Sequence, residues 1–386
     1  MIDIIFSESS KAISPTLARK LFMMAKEYDD VIDFTIGDPD IVTDKEICKA
    51  AYNASLNGHT RYSANAGIPE LRNTIAKRLN EDYNTDFNLD NIAITVGAME
   101  ALYLSLMALI NKNDEVIILA PYWIQYENMV KILNGKPIVI DKFTNKDSFE
   151  IDLEKLKRAI SHKTKAIIIN SPNNPSGYVY SAQFLKEIAD IACKNDICII
   201  ADEVYNTLVY DEKYVSVLDI CNKDNVILIN SCSKTFAMTG WRVGYLAANS
   251  DFIKVIIKLQ QNVANCASTP SQYAALEAFE KFDYYSSLVK DEFEKRRDVL
   301  VKELKNIELL KFKIPKGTFY CFIDISKTNM KSEEFAFSLL KEKQVAVIPG
   351  IAYGSSFDNY IRLAFTLEEE KIILGINRLK EFLNSI

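Results

Sequence analysis

Ala166-Ile167-Ile168-Ile169-Asn170-Ser171-Pro172-Asn173-Asn174-Pro175-Ser176-Gly177 and, one helix-length later, Ile197-Cys198-Ile199-Ile200-Ala201-Asp202-Glu203-Val204-Tyr205 decide the fold. Each is a short run of mostly β-branched residues that stops at polar ones. Between them Ala182–Lys194 carries a helical pattern. A strand that stays apolar without alternation is buried on both faces, and such strands joined by helices run parallel. Working outward, the same texture recurs. Further strands are expected at Ile92–Val96, Val116–Leu119, Pro137–Ile140, Val226–Ile229 and Val243–Ala247, and helices at Glu100–Ile110, Ile124–Leu133 and Leu153–Ile160. The expectation is an α/β fold: a large domain with a mostly parallel seven-stranded sheet covered by helices on both faces. The strand at Val243–Ala247 follows closely on its predecessor, so it is expected to be antiparallel.

After Ser268-Thr269-Pro270 the texture changes. A charged, helix-rich stretch, about Gln272–Leu304, leads to strands at Phe319–Ile325 and Val345–Ile348 and an amphipathic helix from Glu368 to Leu383. This third reads as a smaller α+β domain. Ser14-Pro15 looks like a helix start, with proline at its first position. The expected division is an arm over residues 1–13, a small domain from 14–45 and 281–386, and a large cofactor-binding domain over 46–280.

Composition excludes several classes. The 386 residues carry 46 basic and 52 acidic side chains, a net charge of −6, which offers no footprint for nucleic acid or an anionic membrane. No run of 18 apolar residues occurs, and the N-terminus lacks the basic stretch of a secretory signal. Seven scattered cysteines without a C-x-x-C pair read as free thiols of a cytoplasmic protein. Only two histidines occur, His59 and His162, neither in ligand-type company, so no metal is expected and acid–base work falls to Lys, Tyr, Asp or Glu. No G-x-G-x-x-G follows a strand and no P-loop is present. Ser231-Cys232-Ser233-Lys234 fits the S-x-x-K of serine acyl-enzymes, but the S-D-N and K-T-G strings that accompany it do not occur.

Ligands of doubly wound sheets bind beyond the carboxyl ends of the strands. There the sequence places Gly97-Ala98-Met99 opening a helix, Pro121-Tyr122-Trp123, Asn173-Asn174-Pro175, Asp202-Glu203-Val204-Tyr205, Ser231 to Lys234, and Arg242. Singly, each reads as a plain turn, a solvated loop or a core aromatic. Jointly they are complementary. Free amides at a helix start and Arg242 seat a phosphate. Asp202 pairs with a protonated ring nitrogen, Trp123 stacks on a ring, and a desolvated Lys234 is a nucleophilic amine. Together those requirements describe pyridoxal 5'-phosphate.

The chain resembles the fold-type I, class I/II aminotransferases, and among them the bacterial-type aspartate aminotransferases. The strings that carry the resemblance span nearly the whole chain: Ile36-Gly37-Asp38-Pro39-Asp40, Tyr62 through Arg72, Pro121-Tyr122-Trp123, Ser171 through Gly177, Asp202 through Tyr205, Ser231 through Arg242, and Tyr360-Ile361-Arg362-Leu363. The resemblance implies Lys234 as the Schiff-base lysine, Asp202 on the pyridine nitrogen, and Tyr205 and Asn174 on the phenolic oxygen. It implies Trp123 on the ring, and Gly97, Ala98, Met99, Ser231 and Arg242 around the phosphate. Arg362 would grip the substrate α-carboxylate with Asn174 and the backbone of Gly37. Tyr62 would reach the phosphate of a neighbouring subunit, which implies a homodimer with shared sites. The implied activity is ping-pong amino transfer from an L-amino acid, aspartate first and aromatic amino acids next, to a 2-oxo acid such as 2-oxoglutarate. A carbon–sulfur lyase on the same fold is the alternative. The resemblance is looser at Asp38, where the family often has Glu, at Ser176, where Thr is usual, and at Met99, where some bacterial aspartate enzymes carry a lysine. Lys11 and Arg19 are cations placed to meet a second substrate carboxylate.

Overall fold

The computed structural model describes residues 6–13, 17–143, 148–221 and 223–386. Consecutive aliphatic positions in the strands mean that both faces of the sheet need a core, and both have one. From Thr164–Asn170, Ile167 and Ile169 enter one core with Ile117, Leu119, Ile199 and Leu228. Ala166 and Ile168 enter the opposite core with Val116, Ile118, Ile200 and Ile229. This is the two-residue period of a strand written in uniformly apolar letters. Helices close both faces; Ala182–Lys194 is capped by Ser181, whose hydroxyl accepts from the Phe184 amide at 3.2 Å, and buries a stripe through Phe184, Leu185, Ile188, Ala189 and Ala192.

The sheet has seven strands in the spatial order Ile92–Thr95, Gly244–Ala247, Val226–Ser231, Cys198–Asp202, Thr164–Asn170, Glu115–Leu119 and Lys136–Ile140. Six run in one direction, and Gly244–Ala247 is antiparallel to both of its neighbours. Three strands run past the polar boundary that the sequence pattern indicates. Asn170, Asp202 and Ser231 are last residues of strands, Asn170 paired with Asp202 and Ser231 with Gly244, because the backbone ladder continues past the point where the side chains turn polar.

The remaining strands form a four-stranded antiparallel sheet, in the order Ile348–Pro349, Tyr360–Ala364, Tyr320–Asp324, Lys311–Phe312, and a parallel pair, Ile32–Asp33 with Val345–Ala346. The expected strand over Val345–Ile348 is thus two short pieces in different sheets, with the change of partner at Val347. The helix-rich stretch resolves into Thr269–Glu280 and Phe282–Leu304, broken at Lys281 (φ −120°, ψ 39°). A third core joins Leu21, Phe34, Phe293, Phe319, Phe335, Phe365 and Phe382. The helix start at Ser14-Pro15 lies outside the described residues, and a helix is described over Leu17–Ala25. All seven cysteines are unpaired, and no helix among the described residues is long and apolar enough to cross a membrane.

Candidate active site

A cavity of about 370 Å³ opens at the carboxyl edge of the large sheet and is closed on one side by the second sheet. Of the residues expected to hold the cofactor or the α-carboxylate, all line it except Gly97, which lies beneath Arg242, and Tyr62.

One end is built to hold an anion. Helix Gly97–Leu109 starts there without a side-chain cap, leaving its first amides, including those of Ala98 and Met99, free to donate. Gly244 lies directly below: a Cβ there would sit 2.5 Å from the Gly97 carbonyl carbon and 2.6 Å from the Ala98 nitrogen, so only glycine lets strand and helix start approach. Arg242 adopts a left-handed backbone (φ 56°) and donates to the Thr239 carbonyl at 2.9 Å, leaving further donors for a ligand. The Ser231 hydroxyl, 2.8 Å from that of Ser233, completes this end.

The Lys234 amine donates to the Gly37 carbonyl at 2.8 Å. Burial pushes its pKa down to about 8; Arg242 and Arg362 add to this and Asp38 opposes it. An amine so placed is neutral far more often than an ordinary lysine, and a neutral amine is a nucleophile and a base.

Across the cavity Asp202 is buried. Tyr126 donates to its Oδ2 at 2.6 Å, and the Val204 amide approaches Oδ1 at 3.4 Å. Burial pushes its pKa up to about 6, and the two hydrogen bonds hold it from rising further. A carboxylate in such a place gains most by facing a cationic ring nitrogen. Asn170 ties the neighbouring strand ends together, donating to the Asp202 carbonyl at 3.1 Å and accepting from the Asn174 amide at 2.8 Å. Trp123 caps the helix Ile124–Ile132 and meets Tyr126 edge to face, with ring centroids 5.6 Å apart.

Arg362 comes from the second sheet. It is buried, donates to Asn174 Oδ1 at 3.3 Å and the Thr35 carbonyl at 2.6 Å, and lies between the rings of Tyr320 and Tyr353, 4.3 Å and 5.4 Å from their centroids. Its Nε is buried without a partner among the described residues. A buried guanidinium met only by neutral oxygens and ring faces calls for a carboxylate.

Tyr126, Asn170, Val204, Ser233, Thr239 and Tyr320 also line the cavity, and the reading of the sequence missed their part. Tyr126 was within reach, three residues after Trp123 on one helix face. Tyr320 carries no such signal, since it arrives from another sheet. Lys11 is ion-paired to Glu8 at 2.9 Å and exposed, Arg19 is exposed, and neither lines the cavity; Tyr62 is 84% exposed and borders a separate hollow with Arg61 and Cys266. His59 packs against the Tyr273 ring at a tilt of 39°, and His162 lies in an exposed turn.

An amine tuned toward neutrality, set between an anion seat and a carboxylate seat, is the equipment of enzymes that work on the amino groups of acids. Comparison with known proteins gives the family. Residues 29–379 match the model for "Aminotransferase class I and II", and the chain belongs to that family. A probable aspartate aminotransferase of Methanocaldococcus jannaschii is 42% identical over 97% of this chain and 99% of its own length. The (5-formylfuran-3-yl)methyl phosphate transaminase of the same organism is also 42% identical, over 95% of each chain. The crystal structure of an aspartate aminotransferase from Thermotoga maritima superposes with a TM-score of 0.93 at 36% identity, covering 98% of this chain and 100% of that one. The protein is an aminotransferase of the fold-type I architecture.

Proposed function

We propose that the cavity binds pyridoxal 5'-phosphate and uses it to move an amino group between an L-amino acid and a 2-oxo acid. The observation that carries this is Arg362, a buried guanidinium whose Nε has no partner among the described residues, facing the same cavity as the depressed amine of Lys234. The residues fit the cofactor. Ala98 and Met99 amides, Ser231 and Arg242 hold its phosphate, with Gly97 and Gly244 giving the room. Asp202 holds its ring nitrogen, Trp123 its face, Tyr205 and Asn174 its phenolic oxygen, and Lys234 its aldehyde carbon. When bound, the cofactor supplies a carbonyl for the substrate amine and a sink for the electrons released at the α-carbon. Arg362 and Asn174 orient the substrate by its α-carboxylate. Lys234 Nζ, freed by the incoming amine, takes the α-proton and returns it on the other side of the exchange. Asp202, kept ionised by its hydrogen bonds, maintains the ring-nitrogen proton.

Aspartate with 2-oxoglutarate is the first substrate reading, supported by the names of relatives. Those names divide at equal identity, however, and Met99, 38% exposed on the cavity wall, favours an aromatic or other apolar side chain as the second reading. The reading includes a homodimer in the cytoplasm, with Tyr62 completing the partner's phosphate site. The test is a set of half-reactions followed by absorbance. L-Aspartate, L-tyrosine, L-alanine and L-cysteine are added separately to the cofactor-loaded protein. Loss of the visible band with one donor, restored by 2-oxoglutarate, is the expected result, and Lys234→Ala abolishes the band. Ammonia release without that reversal identifies a lyase instead.

A further inference from the structure

Tyr320 sits where the two seats of the cavity meet. It opens the strand Tyr320–Asp324, is buried, and its hydroxyl lies 3.2 Å from that of Tyr205. Its ring lies under the Arg362 guanidinium. The groups that face its hydroxyl are Arg362 from the neighbouring strand, Tyr205 from beyond Asp202, and Asp38. Burial pushes the phenol up, and the charge of Arg362 draws it down. A cation over a phenol ring draws electrons from it and makes its hydroxyl a stronger donor. A phenol has one proton. If Tyr205 spends its own on a ligand oxygen, the contact between the two hydroxyls requires the proton of Tyr320. The direction is then fixed: Tyr320, polarised by the guanidinium over its ring, donates to Tyr205, and Tyr205 to the ligand.

We propose that Tyr320 is a positioning residue that couples carboxylate binding at Arg362 to the hydrogen bond Tyr205 makes with the cofactor's phenolic oxygen. This rests on the pyridoxal-phosphate site proposed above. A chain of hydrogen bonds strengthens each member, so a guanidinium on Tyr320 makes Tyr205 a better donor and the phenolic oxygen a more stable anion. A carboxylate on Arg362 spends part of that field. The anion is then less stabilised, and the adjacent nitrogen of Lys234 keeps its proton to higher pH. The charged groups facing that nitrogen are Asp38, Arg242 and Arg362, none of which a change at Tyr320 removes.

The experiment titrates the visible spectrum of cofactor-loaded protein against pH, with and without acetate, a carboxylate small enough for any side-chain pocket. Tyr320→Phe keeps the ring under Arg362 and removes the hydroxyl. It is expected to raise the midpoint by roughly half a pH unit, a fraction of what a directly lost hydrogen bond gives. It should also shrink the upward shift that acetate produces. In a Tyr205→Phe background the same change should move the midpoint no further. A wild-type midpoint and full acetate shift in Tyr320→Phe, or additive shifts in the double variant, overturn the coupling. A wild-type protein without any titrating visible band overturns the site itself, and the coupling with it.

Discussion

Asp202 and Glu203 are consecutive and both buried, yet only Asp202 faces the cavity. Burial raises both, to about 6 and about 7. For Asp202 the hydrogen bond from Tyr126 is the main restraint on that rise. Tyr126→Phe removes it, and the carboxyl is expected to climb by about one further unit. Cofactor binding to the apoprotein requires the ionised form, so its acid limb should move upward by that amount in affinity measured against pH. An unmoved limb means Tyr126 only packs. Glu203 points away from the cavity, accepting from Ser216 and from the Val217 amide, the latter at 2.9 Å. Its folded pKa lies above the unfolded value of about 4.5, so the native state holds this proton more tightly. Its contribution is therefore most favourable at low pH and is lost as pH rises toward 7. Glu203→Gln removes that dependence. The wild-type advantage over the variant in unfolding free energy should fall by about 2.5 kcal/mol between pH 5 and pH 8. A constant difference across that range would show that Glu203 stays ionised throughout.

At the scale of elements, the anion seat is a contact between a strand and a helix start. Gly244→Ala drives a methyl into the Gly97 and Ala98 backbone, which cannot swing aside as a flexible side chain would. We expect a destabilisation of about 1–3 kcal/mol in denaturant titration. Displaced amides should also weaken pyridoxal-phosphate affinity at least about tenfold. Gly240→Ala, in open space close to Arg242, should do neither, and equal losses at both positions would locate the effect elsewhere. The large sheet was legible in the sequence for the same reason that it is rigid. Burial on both faces forces consecutive aliphatic residues, and the polar residues that follow them mark the edge where a ligand binds. The second sheet was not legible in that way. Pattern shows which residues of Tyr320–Asp324 and Tyr360–Ala364 face a core, but not which residue lands over the edge of another sheet. Arg362 was found only through resemblance, and Tyr320 was missed. Val345–Ile348 reads as one apolar run although the chain changes partner within it, since partner exchange leaves no mark in hydrophobicity.

At the scale of the molecule, the cavity of one chain leaves Tyr62 outside. This tyrosine is 84% exposed, and Tyr52 and Leu56, one helical turn apart on Lys45–Leu56, are 64% and 68% exposed. In the proposed dimer these are side chains that a partner chain would cover. If Tyr62 completes the partner's phosphate seat, two damaged subunits can rescue each other in one direction only. A Tyr62→Ala subunit keeps Lys234 but lacks the tyrosine it lends; a Lys234→Ala subunit keeps the tyrosine but cannot form the visible band. In the mixed dimer, the cavity of the Tyr62→Ala subunit receives an intact tyrosine from across the interface. It should bind one cofactor per dimer with wild-type affinity, read from the visible band. The Tyr62→Ala homodimer should bind about tenfold more weakly, the effect of one lost hydrogen bond to an anion. If the mixed dimer binds no better than that homodimer, Tyr62 acts within its own chain or not at all. Each subunit then holds a self-sufficient site, and dilution to monomers would leave cofactor affinity unchanged.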